Sequence, residues 1–213
     1  YSTETSNYRT NESVLHQRID DIINKALAKN YTTLKTRQQK SHRMLFDRCQ
    51  LSITPDDCNT KPTPQLVADY NKTDSSYLDN HFLEELYFNY GRYLLISCAQ
   101  GIALPSNLQG IWNYSNSAVW HCDIHANINV QMNYWPAEVT NLSELHNNLL
   151  DYIYNEALIH TQWRDNVNTV LRSANKNENQ KPGGFFCSTA NNIFGGGTEW
   201  KLQEYAVVNA WYC

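Results

Sequence analysis

Between residues 125 and 138 the chain reads HANINVQMNYWPAE, with Asn127 and Asn129 two positions apart beside His125. A carboxamide oxygen accepts a hydrogen bond but holds no proton at neutral pH. Asn127 and Asn129 therefore cannot act as general bases; they can orient a water molecule or grip a hydroxyl group. Converging on one such group demands a particular backbone. Side chains two apart on a regular helix diverge by about 200°, whereas on extended backbone they share a face. The pair therefore requires NIN to be extended or to form an irregular approach to a helix. A pair of helix-capping asparagines is the other reading of the same pattern.

Other catalytic schemes find little support. The chain has no G-x-S-x-G elbow, no phosphate-binding loop and no H-E-x-x-H pair. His121 and His125 flank Asp123, but no further ligand stands nearby and a metal site needs three or four, so neither a metal nor a cofactor is expected. The carboxylates near the aromatic segments are Asp123, Glu138, Glu144 and Glu199. Hydrolysis of a glycosidic bond normally uses two carboxyl groups across the bond. Glu144 is expected to close a helix cap and Glu138 to be a structural hydrogen-bond partner, so none of these is marked as a general acid.

Composition bounds the partners. With 41% hydrophobic and 18% charged residues the chain reads as globular, and its net charge of -4 offers nothing to nucleic acid or an anionic membrane. The run Lys35, Arg37, Lys40, Arg43 reads as a solvated helix face. No stretch of eighteen apolar residues suggests a membrane span. Aromatic residues make up 12%, with Tyr and Trp prominent. Beside the clustered amides they suit a sugar, whose C–H face stacks on a ring while its hydroxyls take polar partners; an aromatic core is the plainer alternative. The six cysteines show no C-x-x-C spacing and are expected to pack as buried thiols, although Cys49 and Cys58 are near enough in sequence to bridge a loop.

The elements that must position these groups are helical. Ser13 is expected to cap a helix over 14–29 that carries Leu15, Ile19, Ile22 and Ala26; a second is expected over 31–48. Residues 52–77 read as a loop. A long third helix follows, with Leu78, Phe82, Leu86, Tyr90, Tyr93, Leu94 and Ser97 on its expected inner face. Residues 100–124 form a long loop carrying Trp112, Tyr114 and Trp120. A short helix over about 127–135 should stop near Pro136. Asn141 and Glu144 read as a capping box for the next helix, whose apolar positions are Leu142, Leu145, Leu149, Ile153 and Leu158. Residues 170–184 read as a polar loop, the glycine-rich run after it as another, and YAVVNAWYC as the start of a further helix. Helices joined by long aromatic loops, without βαβ alternation, suit an all-α toroid. The chain starts without Met and stops inside an apolar run, so it is expected to be an internal piece of a longer protein.

The blocks NYGRYLLISCAQ, LPSNLQGIWN and NINVQMNYWPAEVTNLSELH, in this order and spacing, resemble the catalytic domain of glycoside hydrolase family 95, a family of α-L-fucosidases with some α-L-galactosidases. SNYR, HRMLFDR, GGFFCSTANNIFG and NAWYC resemble other segments of it, and the resemblance covers essentially the whole chain. It implies an incomplete (α/α)6 barrel, roughly its first half, over residues 13–213, with 1–12 as an extended lead-in from an N-terminal β domain. It also implies an inverting, metal-free removal of terminal α-linked L-fucose from a fucosylated oligosaccharide or glycan, outside the cell or in the periplasm. The family's two water-positioning asparagines fall on Asn127 and Asn129, and a sugar-contacting position falls on His125. Trp112, Trp120 and Trp135 are candidate pocket walls, which the resemblance does not assign individually. The family's general acid and assisting aspartate are expected beyond Cys213, so this chain alone is expected to be inactive. The segment CSTANNIFGGG departs from the family in lacking a histidine near its start. An α-L-galactosidase and a non-catalytic sugar-binding remnant are the alternatives.

Overall fold

The computed structural model describes residues 12–55, 61–74, 76–165, 167, 184–196 and 207–213. Its described residues are mainly helical, so the all-α expectation holds at that level; the strand content among them is one antiparallel pair of two-residue strands. The chain divides into two compact units, 1–44 and 45–213.

In the first unit, helix α1 spans Glu12–Leu27 and α2 begins at Tyr31. α1 starts earlier than expected, so Ser13 lies inside it and does not cap it. Its apolar positions Leu15, Ile19 and Ile22 are exposed. The start of α2 is set by Asn30, whose side-chain oxygen accepts from the Thr33 N–H at 2.8 Å, a standard N-cap bond to the third helical residue. α2 runs to Phe46, and its basic run is exposed to solvent.

The second unit holds the core. The expected loop over 52–77 contains a short helix, α3 (Thr63–Asp69), opened by Pro62 and anchored by buried Leu66. Helix α4 (Tyr77–Ala99) forms where expected but buries a different face. Arg92, Leu95, Ile96 and Ala99 point inward at helical spacing, while Tyr90 and Tyr93 are exposed. Arg92 is tolerated inside because it donates to the carbonyls of Phe46, Cys49, Leu45 and Thr140 at 2.6, 2.6, 3.1 and 3.4 Å.

Helix α5 (Asn129–Val139) runs through Pro136 and does not stop there. The Pro136 carbonyl still accepts from the Thr140 N–H at 3.0 Å and the Thr140 hydroxyl at 2.7 Å. Asn141, at φ 59°, terminates α5 and is not an N-cap. The Leu142 N–H reaches Ala137 O and the Asn141 N–H reaches Glu138 O, the double bond of a Schellman motif, with Leu142 and Ala137 both fully buried. With Asn141 not an N-cap no capping box forms, and the Glu144 carboxylate pairs with Arg48. A 3-10 turn (Ser143–Leu145) leads into α6 (Asn147–Tyr154), which continues as a π turn over Asn155–Ile159. Leu142, Leu145, Leu149 and Ile153 are buried as the pattern predicts; at the π turn Glu156 and Ala157 turn inward and Leu158 is exposed.

Trp163 occupies the far end of this core. Its ring stacks on Phe185 and Tyr212 and meets Tyr152 edge-on, and its Nε1 donates to Gly195 O at 3.0 Å. Tyr212 belongs to the last helix, α7 (Val207–Tyr212). Glu156 is fully buried against Gly195, whose φ of 71° and close approach to the carboxylate leave no room for a Cβ. Burial pushes the Glu156 carboxyl above its ordinary value, opposed by its hydrogen bond to His160. A carboxyl raised in the folded state binds its proton more tightly there than in the unfolded chain. Its contribution is therefore most favourable in acid and declines as pH climbs above 4.5 through the raised value. Glu156→Gln cannot ionise, so its melting temperature will exceed the wild type's at neutral pH and converge with it in acid. Thermal unfolding across that range checks this; a gap that is constant with pH would refute it.

Candidate active site

The approach to α5 is irregular. Strand β1 (Ile124–His125) pairs antiparallel with β2 (Ala190–Asn191), in the register Ile124 to Asn191 and His125 to Ala190. Ala126 extends the pairing by donating to Thr189 O at 2.7 Å. Residues 126–128 then turn, with Ile128 at φ -165° and ψ -24°, and Asn129 is the first residue of α5. Asn127 is thus held off the helix and Asn129 on it. Both are half-buried, and Asn127 Oδ1 is buried with no hydrogen-bond partner among the described residues.

His125 is buried, and its Nδ1 lies 3.0 and 3.3 Å from the two carboxylate oxygens of Asp123. The carboxylate thereby fixes the ring's orientation and leaves Nε2 as the nitrogen able to meet a ligand. Burial pushes the Asp123 carboxyl upward, against the downward pull of His125. Sequence reasoning gave Asp123 no role. The available signal was its position two residues before His125, which extended backbone places on the same side.

Trp120 meets His125 edge-on, with ring centres 5.6 Å apart. It is presented by an unusual backbone: Trp120, His121 and Cys122 are all left-handed, at φ 54°, 57° and 52°. Each such residue costs about 1–2 kcal/mol, and such strain gathers at active sites and ligand clamps. The turn is tied down by the Leu108 N–H donating to Asp123 O at 3.0 Å and by the Cys122 thiol on Asn107 Oδ1 at 3.0 Å. The exposed His121 and buried His125 consequently sit in different environments.

The other tryptophans stand differently. Trp112 is half exposed on the 100–118 loop and packs over Gly110, where a Cβ would lie 2.7 Å from its ring. That loop is fastened to α5 by the Asn133 amide on Asn107 O at 3.3 Å and by the Tyr134 hydroxyl. The hydroxyl accepts from the Ser106 N–H at 2.9 Å and donates to Asn148 Oδ1 at 2.8 Å. Trp135 is exposed on α5, six residues and about 120° around the helix from Asn129. In the MNYW run, Tyr134 is the packed residue, while Met132 and Trp135 face outward.

Of the carboxylates, Asp123 pairs with His125, Glu138 with His146, Glu144 with Arg48 and Glu156 with His160. Glu199, Cys58 and most of the 170–184 loop lie outside the described residues, while Cys49 is a free thiol, so the bridge it was near enough to form is not made. Cys98 and Cys187 are buried free thiols, Cys49 and Cys122 are half-buried, and Cys213 is exposed. No helix among the described residues is long and apolar enough to cross a membrane.

Residues 30–213 match the model of the glycosyl hydrolase family 95 catalytic domain. The chain is 39% identical over 129 residues to "Probable alpha-fucosidase A" of Aspergillus niger, covering 60% of this chain and 16% of that protein. It is 39% identical over 131 residues to "Probable alpha-fucosidase A" of Aspergillus oryzae, covering 60% and 17%. It is 36% identical over 125 residues to "Alpha-L-fucosidase 2" of Arabidopsis thaliana, covering 58% and 15%. The matched stretch thus spans about one sixth of each relative's length.

Proposed function

We propose that this chain, which belongs to glycosyl hydrolase family 95, supplies the water-positioning side of an inverting glycosidase that removes terminal α-linked L-fucose from glycans outside the cell or in the periplasm. The observation that carries this is the buried, unpartnered Oδ1 of Asn127, two residues from a histidine locked by Asp123. A buried acceptor left unpaired costs about 1–3 kcal/mol. A water or hydroxyl that donates to it offsets that penalty.

In this reading Asn127 and Asn129 orient the attacking water and aim its lone pair at the anomeric carbon, leaving one of its hydrogens directed at the proton acceptor. Their carbonyls hold the water without adding charge beside an oxocarbenium-like transition state. His125 offers Nε2 to a sugar hydroxyl, and Trp120 walls the same side. Trp112 and Trp135 are proposed as outer contacts. An incomplete (α/α)6 toroid is the architecture proposed to carry these groups. The amides cannot take the water's proton, and Asp123, the carboxylate beside His125, is held by that histidine. The proton donor for the leaving oxygen and the proton acceptor for the water are therefore proposed to be other residues.

A concrete result follows. The 213-residue chain alone will release no fucose from a fucosylated trisaccharide, whereas the full-length protein will release the inverted β-anomer first, read by proton NMR during turnover. Robust release by the short chain would sink the first statement, and initial α-anomer the second. Turnover of an α-L-galactoside in preference to the fucoside would move the substrate reading to L-galactose.

A further inference from the structure

We infer that Gln131 is a positioning residue for this reaction, holding the backbone between His125 and Asn127; the inference rests on the water-positioning reading above. Gln131 is the third residue of α5 and only 4% exposed. Helix side chains slant toward the N-terminus, so a long one near the start of α5 reaches back to the turn before it. Its Nε2 donates to Ala126 O at 2.7 Å. The Ala126 N–H donates on its other side to Thr189 O, also at 2.7 Å. Fully buried Ala126 is thus gripped at both polar groups, by α5 and by the chain leading into β2. His125 precedes this clamp and Asn127 follows it.

A residue kept only for packing would be apolar here. Gln131 Oε1 is buried with no hydrogen-bond partner among the described residues, a penalty that an isosteric methionine would avoid. What glutamine provides and methionine does not is the donor on Ala126 O. The turn over 126–128 lies before the regular ladder of α5, so helix formation alone does not set its geometry. Rotating the Ala126–Asn127 peptide would move the Asn127 side chain relative to both His125 and Asn129.

The test compares Gln131→Met and Gln131→Glu with wild type in the full-length protein, under conditions where circular dichroism shows all three folded. Gln131→Met should lower kcat about 10²-fold, the scale of a misplacement of roughly 1 Å, with KM changed far less. An ionised glutamate cannot donate to Ala126 O, but a protonated one can. Burial raises the introduced carboxyl, as at Glu156, so Gln131→Glu should lose kcat as pH rises through that raised value and recover it toward acid, along a limb that wild type and Gln131→Met lack. Wild-type kcat in Gln131→Met, or a Gln131→Glu profile parallel to wild type, would overturn the inference. Should Gln131→Met fail to fold, the Gln131→Glu profile decides alone. Should wild type hydrolyse no fucoside, the reaction reading fails separately. The clamp is then judged on the 213-residue chain by hydrogen exchange at the Ala126 amide. Exchange about tenfold faster or more in Gln131→Glu once pH exceeds the carboxyl's raised value than below it, after correction for intrinsic rates, supports the clamp; a rate unchanged across that transition rejects it.

Discussion

Asn129→Ala in the full-length protein will lower kcat by about two to three orders of magnitude and leave KM within a few-fold of its starting value. The magnitude is that of removing one fixed dipole aimed at a reacting group. The split between the two constants follows from when the contact is made. A water that is aimed at the anomeric carbon contributes little to holding the sugar, so its loss falls on the transition state. Asn127→Ala should behave alike. If the two amides hold one water, the double variant will be impaired by less than the product of the single effects, because the second deletion removes a contact already broken. Steady-state kinetics on a fucosylated trisaccharide checks all of this. A variant with intact kcat and a raised KM would mean that the asparagine grips the sugar, and the water assignment would fall for that residue.

The largest effect on stability will come from Arg92→Leu, expected to cost roughly 3–5 kcal/mol, a large share of the total of about 5–15 kcal/mol available to a domain. Arg92 is 1% exposed and its guanidinium lies 5.3 Å from the centre of the Phe46 ring. Its two terminal nitrogens serve four carbonyls: three on residues 45–49, at the end of α2 and just beyond, and one at the end of α5. Leucine fills part of the space and leaves those carbonyls without this donor. Lysine should recover only part of the loss, since one ammonium group cannot fork toward four acceptors as a planar guanidinium does. Chemical denaturation of the 213-residue chain measures both variants. A loss below about 1 kcal/mol for Arg92→Leu, the scale of an ordinary surface contact, would show that water replaces the guanidinium.

Arg92 also explains where local pattern misled. The period of α4 announces a helix, and a helix forms. Its tyrosines suggest one inner face, yet Tyr90 and Tyr93 face outward and an arginine faces in. Burying that charge depends on acceptors some 43 to 48 positions away in the chain. No window around α4 contains them. Asn141 is a second case. Asn-Leu-Ser-Glu matches a capping box by residue type, but a cap needs extended backbone, and Asn141 is left-handed because buried Leu142 and Ala137 close α5 instead. Pro136 is a third: a proline's restriction of the residue before it suggested an end, yet the helix runs on and the Pro136 carbonyl takes two donors from Thr140.

By itself the sequence determined the helical class, the family and the chemical limits of the candidate site. Residue types set those limits: amides can orient a water but cannot deprotonate it, and two of them spaced i, i+2 need a break from the helix. Only the tertiary structure decided how the break is made. A two-residue strand borrowed from residues 190–191 holds His125, three left-handed residues carry Trp120 to its edge, and Gln131 reaches back to clamp Ala126. The reason is physical. Periodicity records which residues prefer burial within one element. The partners that let a histidine, an arginine or a strained turn persist come from elsewhere in the chain, and they meet only when it folds.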